Sequence, residues 1–485
     1  MVFSISGTTE AAVIGISTRT YPPGPRGMRL ARALFAYRKN PIGFFVKLAE
    51  DYGESVHFRL GLRHAFLFTH PDAIKEILVT KQAHFIKGLG HQWTKQFLGE
   101  GLLTSEGEFH QRQRRLVKPV FHRHRLAAYA CVMTDYAEET SRRWGDGTAV
   151  EVSEEMRRLT LSIAAKTLLG TELEAEVRAI DEAMTSIVEL SRHFYRKAFP
   201  LAEFFHHLPI PSNIRLRNTV ARLNEIIYRF VQAHKRAGSD SGDLLSMLLL
   251  AQDEEGDGGG MTDEQVRDEA MTLLLTGMES TANALTWTWY LLSQHPEVEA
   301  KLHSELSTVL GGRCPTMDDL PRLPYTEAVL AESMRLYPPA FAIGRCAVTE
   351  VSIGSVVVPK GATVVVSPYI THRNGLFFPM PLRFEPERWI REGRAATPEF
   401  SYFPFGGGAR RCIAEPFAWM EGTLLIATIA QRLRLRLVPG HPVEPQGLLI
   451  LRPKFGMRMH VHRRSPDPCL AGTAPDSEQR LSGSG

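Results

Sequence analysis

The chain has 485 residues, 44% of them apolar, with a formal net charge of +4 and five cysteines. That composition supports a large buried core, and so mild a charge gives no reason to expect a nucleic-acid partner. Cys131, Cys314, Cys346, Cys412 and Cys469 are scattered, odd in number and form no C-x-x-C. A disulfide framework or zinc site is therefore not expected, and a reducing compartment is. No run approaches the roughly 18 apolar residues of a membrane span. The short apolar Ala11–Ile16 has no basic stretch before it, so no signal peptide is expected and the reading is cytoplasmic.

In chain order, residues 1–21 read as a flexible segment, and Pro22-Pro23-Gly24-Pro25 as a stiff entry to the first helix. Glu54 to His70 alternates polar and apolar around Gly61, the pattern of a hairpin. Arg112, Arg115, Lys118, Arg123 and Arg125 form a basic cluster, either a docking face for an acidic protein or a solvated helix face. Ser191 to Asn213 is rich in aromatics, and Asp253 to Gly260 is an acidic, glycine-rich loop.

Thr262-Asp263-Glu264-Gln265 has the form of a capping box. The helix it opens should run to about Gln294, where Pro296 stops it, a rod of roughly 45–50 Å. Its middle breaks the apolar pattern with Thr276-Gly277-Met278-Glu279-Ser280-Thr281. A glycine, a carboxylate and hydroxyls inside a buried rod either serve a function or bond back to preceding carbonyls. Pro324 opens another helix, ended by Pro338-Pro339, with Glu332 and Arg335 on one face. A second β region is expected from Val351 to Ser367, turning at Pro359-Lys360-Gly361. The tail, residues 464–485, reads as flexible, leaving a single domain over 22–463 that is mainly α with small β-sheets.

The most informative run is Phe405-Gly406-Gly407-Gly408-Ala409-Arg410-Arg411-Cys412-Ile413-Ala414. Glycines let backbone approach a flat ligand, and arginines near a thiol favour the thiolate that ligates metal. This run resembles the ligand loop of the cytochrome P-450 superfamily, F-x-x-G-x-R-x-C-x-G, with Phe405, Gly408, Arg410 and Cys412 in place and Ala414 where Gly is usual. The resemblance implies the P-450 fold with the long central helix over the haem, haem b (iron protoporphyrin IX) as cofactor, and Cys412 as axial ligand of its iron.

Other motifs follow in family order. Gly277-Met278-Glu279-Ser280 resembles the oxygen-activation motif, with Ser280 for the usual Thr and Thr276 for a small residue. By that resemblance Glu279, Ser280 and the neighbouring Thr281 serve proton delivery. Glu332, Arg335 and Arg388 resemble the family's structural triad. His110 and Arg114 stand at the two positions of its W-x-x-x-R, and Arg345 matches a further propionate-binding arginine. Ser191 to Asn213 resembles the mobile lid, while Leu275, Thr276, Phe341, Ile343 and Leu449 are expected to line the substrate pocket.

The implied activity is a bacterial-type haem-thiolate monooxygenase. It takes O2 and electrons from a ferredoxin and ferredoxin-reductase donor, and oxidises a lipophilic terpenoid, fatty acid or steroid-like substrate. It is expected as a monomer without a membrane span. Rival readings are a peroxide-driven or isomerising haem enzyme on the same fold and a haem-binding carrier or sensor. A C-x5-R phosphatase loop would need arginine where Ala418 stands.

Overall fold

The helix at the centre of the molecule begins where the sequence caps it. Thr262 Oγ1 accepts from the Gln265 amide at 3.2 Å, and Gln265 Oε1 accepts from the Thr262 amide at 2.9 Å. This reciprocal box satisfies two donors that a helix start leaves unpaired. The helix Asp263–Gln294 then runs 32 residues and stops ahead of Pro296. In this computed structural model the described residues are 21–88, 94–95, 97–170, 178–183, 185–187, 211–256, 258–391, 397–447 and 449–464. The expected flexible ends, apart from Tyr21 and Arg464, lie outside them, as do Leu448 and most of the lid segment.

Two apolar clusters clasp the long helix. Towards its C-terminal end, Leu285, Trp287 and Leu292 pack with Leu424 and Ile426 of the helix Glu415–Arg432 and with Val329 of the helix Pro324–Leu336. Towards its start, Leu274 and Met278 pack with Leu161 of the helix Val152–Leu169 and with Ile227 of the helix Pro211–Ala237. Each fully buried aliphatic side chain contributes about 1.5–3 kcal/mol, so a rod with an apolar wall on both sides is held firmly.

A five-stranded sheet runs in the order Ser55–Leu60, Arg63–Phe68, Thr363–Val366, Ile343–Ala347, Phe85–Lys87. The expected hairpin is present and turns at Gly61, whose φ is +63°. In Arg63–Phe68, Phe66 and Phe68 enter one apolar cluster while Ala65 and Leu67 enter another. That two-residue alternation buries both faces of the strand. Antiparallel pairing of the last two strands sets Lys87 opposite Arg345.

The second β region departs from expectation. Val351–Ile353 pairs with Val356–Val358 around Gly354, whose φ is +52°. Pro359-Lys360-Gly361 instead carries the chain on to Thr363–Val366 in the larger sheet. One valine-rich run thus contains two short strands of a hairpin and a strand of another sheet, which alternation alone does not separate.

Candidate active site

The cysteine loop is shaped by close approach to the segment before the first small sheet. Gly408 has φ +64°, and a Cβ there would lie 2.0 Å from the Leu78 carbonyl oxygen. The Ala409 amide donates to Gln82 Oε1 at 2.8 Å, and the Cys412 amide donates to the Phe405 carbonyl at 3.0 Å. The Phe405 ring packs on Trp419, centroids 5.6 Å apart. Ala414 sits at φ −90°, ψ 15°, a conformation that costs alanine no strain. Cys412 is an exposed residue, and yet protein atoms crowd around its thiol. Burial pushes it up, the Ala414 amide donates to its sulfur, and Arg114 and Arg411 favour the thiolate.

Cations gather beside it. His110 and Arg114 lie one turn apart on the helix Gly107–Val117, Lys87 and Arg345 face each other across strands, and Arg410 follows in the loop. Glu106 is the acid among them. It forms an ion pair with Arg410, whose Nη1 also donates to the Ser105 carbonyl at 2.7 Å, and it accepts from the Lys87 amide at 2.7 Å. Arg345 is buried, and among the described residues its Nη1 donates only to the Gly344 carbonyl, at 3.0 Å. Arg114 makes no ion pair among the described residues. Burial, then the neighbouring cations, lowers Arg345 to about 10, Lys87 to about 7 and His110 to about 3. A cluster of four guanidinium or ammonium groups, Arg345 buried and the others half-buried, with one carboxylate, calls for further anions. Of these, Lys87 and Glu106 escape sequence reasoning, because a cross-strand register brings the lysine in.

In the middle of the long helix, Thr276 is exposed and Gly277, Glu279 and Ser280 are half-buried, although the rod is buried on either side. Thr276 Oγ1 donates back to the Thr272 carbonyl and Ser280 Oγ to the Thr276 carbonyl, both at 2.7 Å. Glu279 is pushed up by burial, opposed by the charges of Arg157 and Arg452 and by a hydrogen bond from Asn283 Nδ2 at 3.4 Å. Thr281 is hydrogen-bonded to Glu421, a fully buried carboxyl that burial raises to about 8. Glu421 was missed in the sequence. Its signal is a carboxylate within an apolar helix with no basic residue three or four positions away.

Glu332, Arg335 and Arg388 are brought together, as their motifs suggest. Arg335 Nε and Nη2 reach the two Glu332 oxygens at 2.9 Å each, and Arg388 Nε reaches Oε1 at 2.9 Å. Trp389 Nε1 and the Glu385 amide also donate to Glu332, while Arg335 donates to the carbonyls of His372, Pro381 and Arg383.

The expected pocket residues fall in different surroundings. Leu275 packs in a helical cluster, Phe341 in the aromatic cluster of the first helices, and Leu449 is 36% exposed. Ile343 lies against the cysteine loop, with its Cδ1 3.7 Å from where a Gly406 Cβ would stand. The basic cluster is also largely spent inside the protein. Arg115 makes a two-pronged bond to Asp253 at 2.9 and 2.8 Å, Arg112 donates to the carbonyls of Gly259 and Gly260, and Arg125 pairs with Asp240. Acids distant in sequence thus turn most of the supposed docking face into a tie between elements.

The family model for cytochrome P450 matches residues 22–458. The chain belongs to the cytochrome P450 family. This P450 is 39% identical to cyclooctatin synthase of Streptomyces melanosporofaciens over 92% of its own length and 95% of the relative's. It is 36% identical to cyclooctat-9-en-7-ol 5-monooxygenase of the same organism, over 86% and 90%. Pentalenene oxygenase of Streptomyces avermitilis is 32% identical over 88% and 94%. The chain is a cytochrome P450 monooxygenase, and its cofactor is haem b. The site fits that group. Haem carries two anionic propionates, which the under-neutralised cations require, and a crowded thiol suits its iron. No described helix is long and apolar enough to cross a membrane.

Proposed function

We propose that Cys412 is the thiolate ligand of the haem iron in this P450, and that the enzyme inserts one oxygen atom from O2 into an unactivated C–H bond of a cyclic terpenoid. The observation that carries this reading is the crowded Cys412 thiol beside a cluster in which cations outnumber acids. Bound there, the haem supplies the oxygen-activating chemistry that no side chain here possesses. The Ala414 amide and the charges of Arg114 and Arg411 favour the anionic sulfur against burial, which opposes it. Arg114, Arg345, His110 and Lys87 meet the propionates, and Arg410 acts through Glu106.

On the long helix, Ser280 donates to a backbone carbonyl and so keeps its oxygen free to accept a hydrogen bond from water. Glu279, raised by burial, exchanges protons with that water, and Asn283 orients it. Glu421, protonated near neutrality, holds Thr281 by a hydrogen bond. The terpenoid class is supported by the substrates for which the Streptomyces relatives are named. The donor we assign is a ferredoxin with its reductase, as in the bacterial members that the chain resembles.

The test is the carbon monoxide difference spectrum of dithionite-reduced protein, followed by substrate-induced spectral shifts. The wild type should give the band for which the family is named, and Cys412→Ser should lose it. Cyclic terpenes and their alcohols should shift the spectrum more strongly than fatty acids. A retained band in Cys412→Ser would remove the ligand assignment, and fatty-acid preference would remove the substrate class. Ser280→Ala should lower product formed per electron consumed several-fold; unchanged coupling would take Ser280 out of proton delivery.

A further inference from the structure

The helix Gly27–Lys39 has no buried residue along its 13-residue length. Its inner side, through Leu30, Ala33 and Tyr37, leans on the aromatic cluster of Ile42, Phe44 and Phe45. Its outer side holds Met28 and Phe35 into solvent, 73% and 61% exposed. These two are seven positions apart and so share one stripe of the helix. Arg26, Arg29 and Arg32 stand around them, and Lys39 lies with its Nζ 4.9 Å from the Phe35 ring centroid. Arg26, Arg29 and Arg32 make no ion pair among the described residues.

The sequence around this helix has a single sign. Between Glu10 and Glu50 there is no Asp or Glu, while Arg19, Arg26, Arg29, Arg32, Arg38, Lys39 and Lys47 all fall inside that stretch. An ordinary surface helix mixes the two signs and pairs them one turn apart. Large apolar side chains held out among cations with no neighbouring acid in sequence match an interface that is oily inside and anionic at its surface. A second copy of the same helix would meet like charge and is disfavoured.

We propose that the helix Gly27–Lys39 docks this P450 peripherally on an anionic lipid bilayer. Met28 and Phe35 enter the headgroup boundary, and Arg26, Arg29, Arg32 and Lys39 meet the lipid phosphates. The helix lies in the plane of the surface, spanning roughly 20 Å at 1.5 Å per residue.

The experiment is co-sedimentation of the purified holoenzyme with vesicles of phosphatidylglycerol and phosphatidylcholine, compared with phosphatidylcholine alone. The enzyme should pellet with the anionic vesicles at low salt, stay in solution with neutral ones, and be released at about 0.5 M salt, where surface charges are screened. Free inorganic phosphate at millimolar concentration should not compete. Met28→Ser/Phe35→Ser and Arg29→Glu/Arg32→Glu should each weaken partition at least about tenfold. Their carbon monoxide spectra and unfolding midpoints should stay at wild-type values, since these side chains are exposed. The proposal is overturned by equal partition to neutral vesicles, by no partition at all, or by variants that partition like wild type. It is also overturned if light scattering shows a lipid-free dimer that Phe35→Ser dissolves, because the occupant is then a second copy.

Discussion

Around Glu332 each buried charge has its partner inside the protein, whereas around Arg345 cations outnumber acids. The first network places one carboxylate among Arg335, Arg388, Trp389 and a backbone amide, and returns the remaining Arg335 donors to three carbonyls. The second leaves Arg345 with one carbonyl and Arg114 with no ion pair among the described residues. A closed network has no demand left to meet and serves the fold. An open one is poised for an anion from outside the chain. The difference distinguishes two sets of buried charges that look alike as sequence.

Removing one member of the closed network should have the largest effect. Glu332→Gln removes the carboxylate that buried Arg335 shares with Arg388, leaving Arg388 only Glu385, and should cost about 3–5 kcal/mol in urea unfolding of the holoenzyme. A loss below about 1 kcal/mol would mean that the network is not closed in the sense argued. Arg345→Met should act differently. Haem transfer to a scavenging apoprotein should quicken about tenfold or more, while the unfolding midpoint of the haem-free chain should not fall, because an under-neutralised buried cation has been removed. A drop in apoprotein stability comparable to Glu332→Gln would erase the contrast.

A smaller effect concerns protons. Glu421 titrates near 4.5 when unfolded and near 8 when folded, so between those values the native state binds the extra proton. Its contribution is therefore complete below about pH 4.5 and is lost as pH rises towards 8, with a slope of up to about 1.4 kcal/mol per pH unit. Glu421→Gln should flatten that part of the stability profile. An unchanged profile would show that another group dominates the window.

What was legible in the sequence is what is written locally. The capping box at Thr262, the glycines before Cys412 and the Glu332–Arg335 spacing each act within a few residues. The cysteine run and the motifs in order with it were enough to suggest the family. What was not legible depends on register and on distant partners. Lys87 reaches the cations only because its strand pairs with Ile343–Ala347. Arg115 and Arg125 meet Asp253 and Asp240, acids more than a hundred positions away. The pocket positions are shared among separate apolar clusters, which composition alone cannot reveal.

The contact between Gly408 and Leu78 has a practical bearing on recombining this enzyme with its relatives. The cysteine loop is moulded on the Leu78 carbonyl and hangs from the Gln82 side chain, so the stretch from Glu76 to His84 and the stretch from Phe405 to Cys412 behave as one inherited part. A crossover anywhere between them separates a lock from its key. Chimeras that exchange both stretches together should retain haem more often than those that exchange either alone.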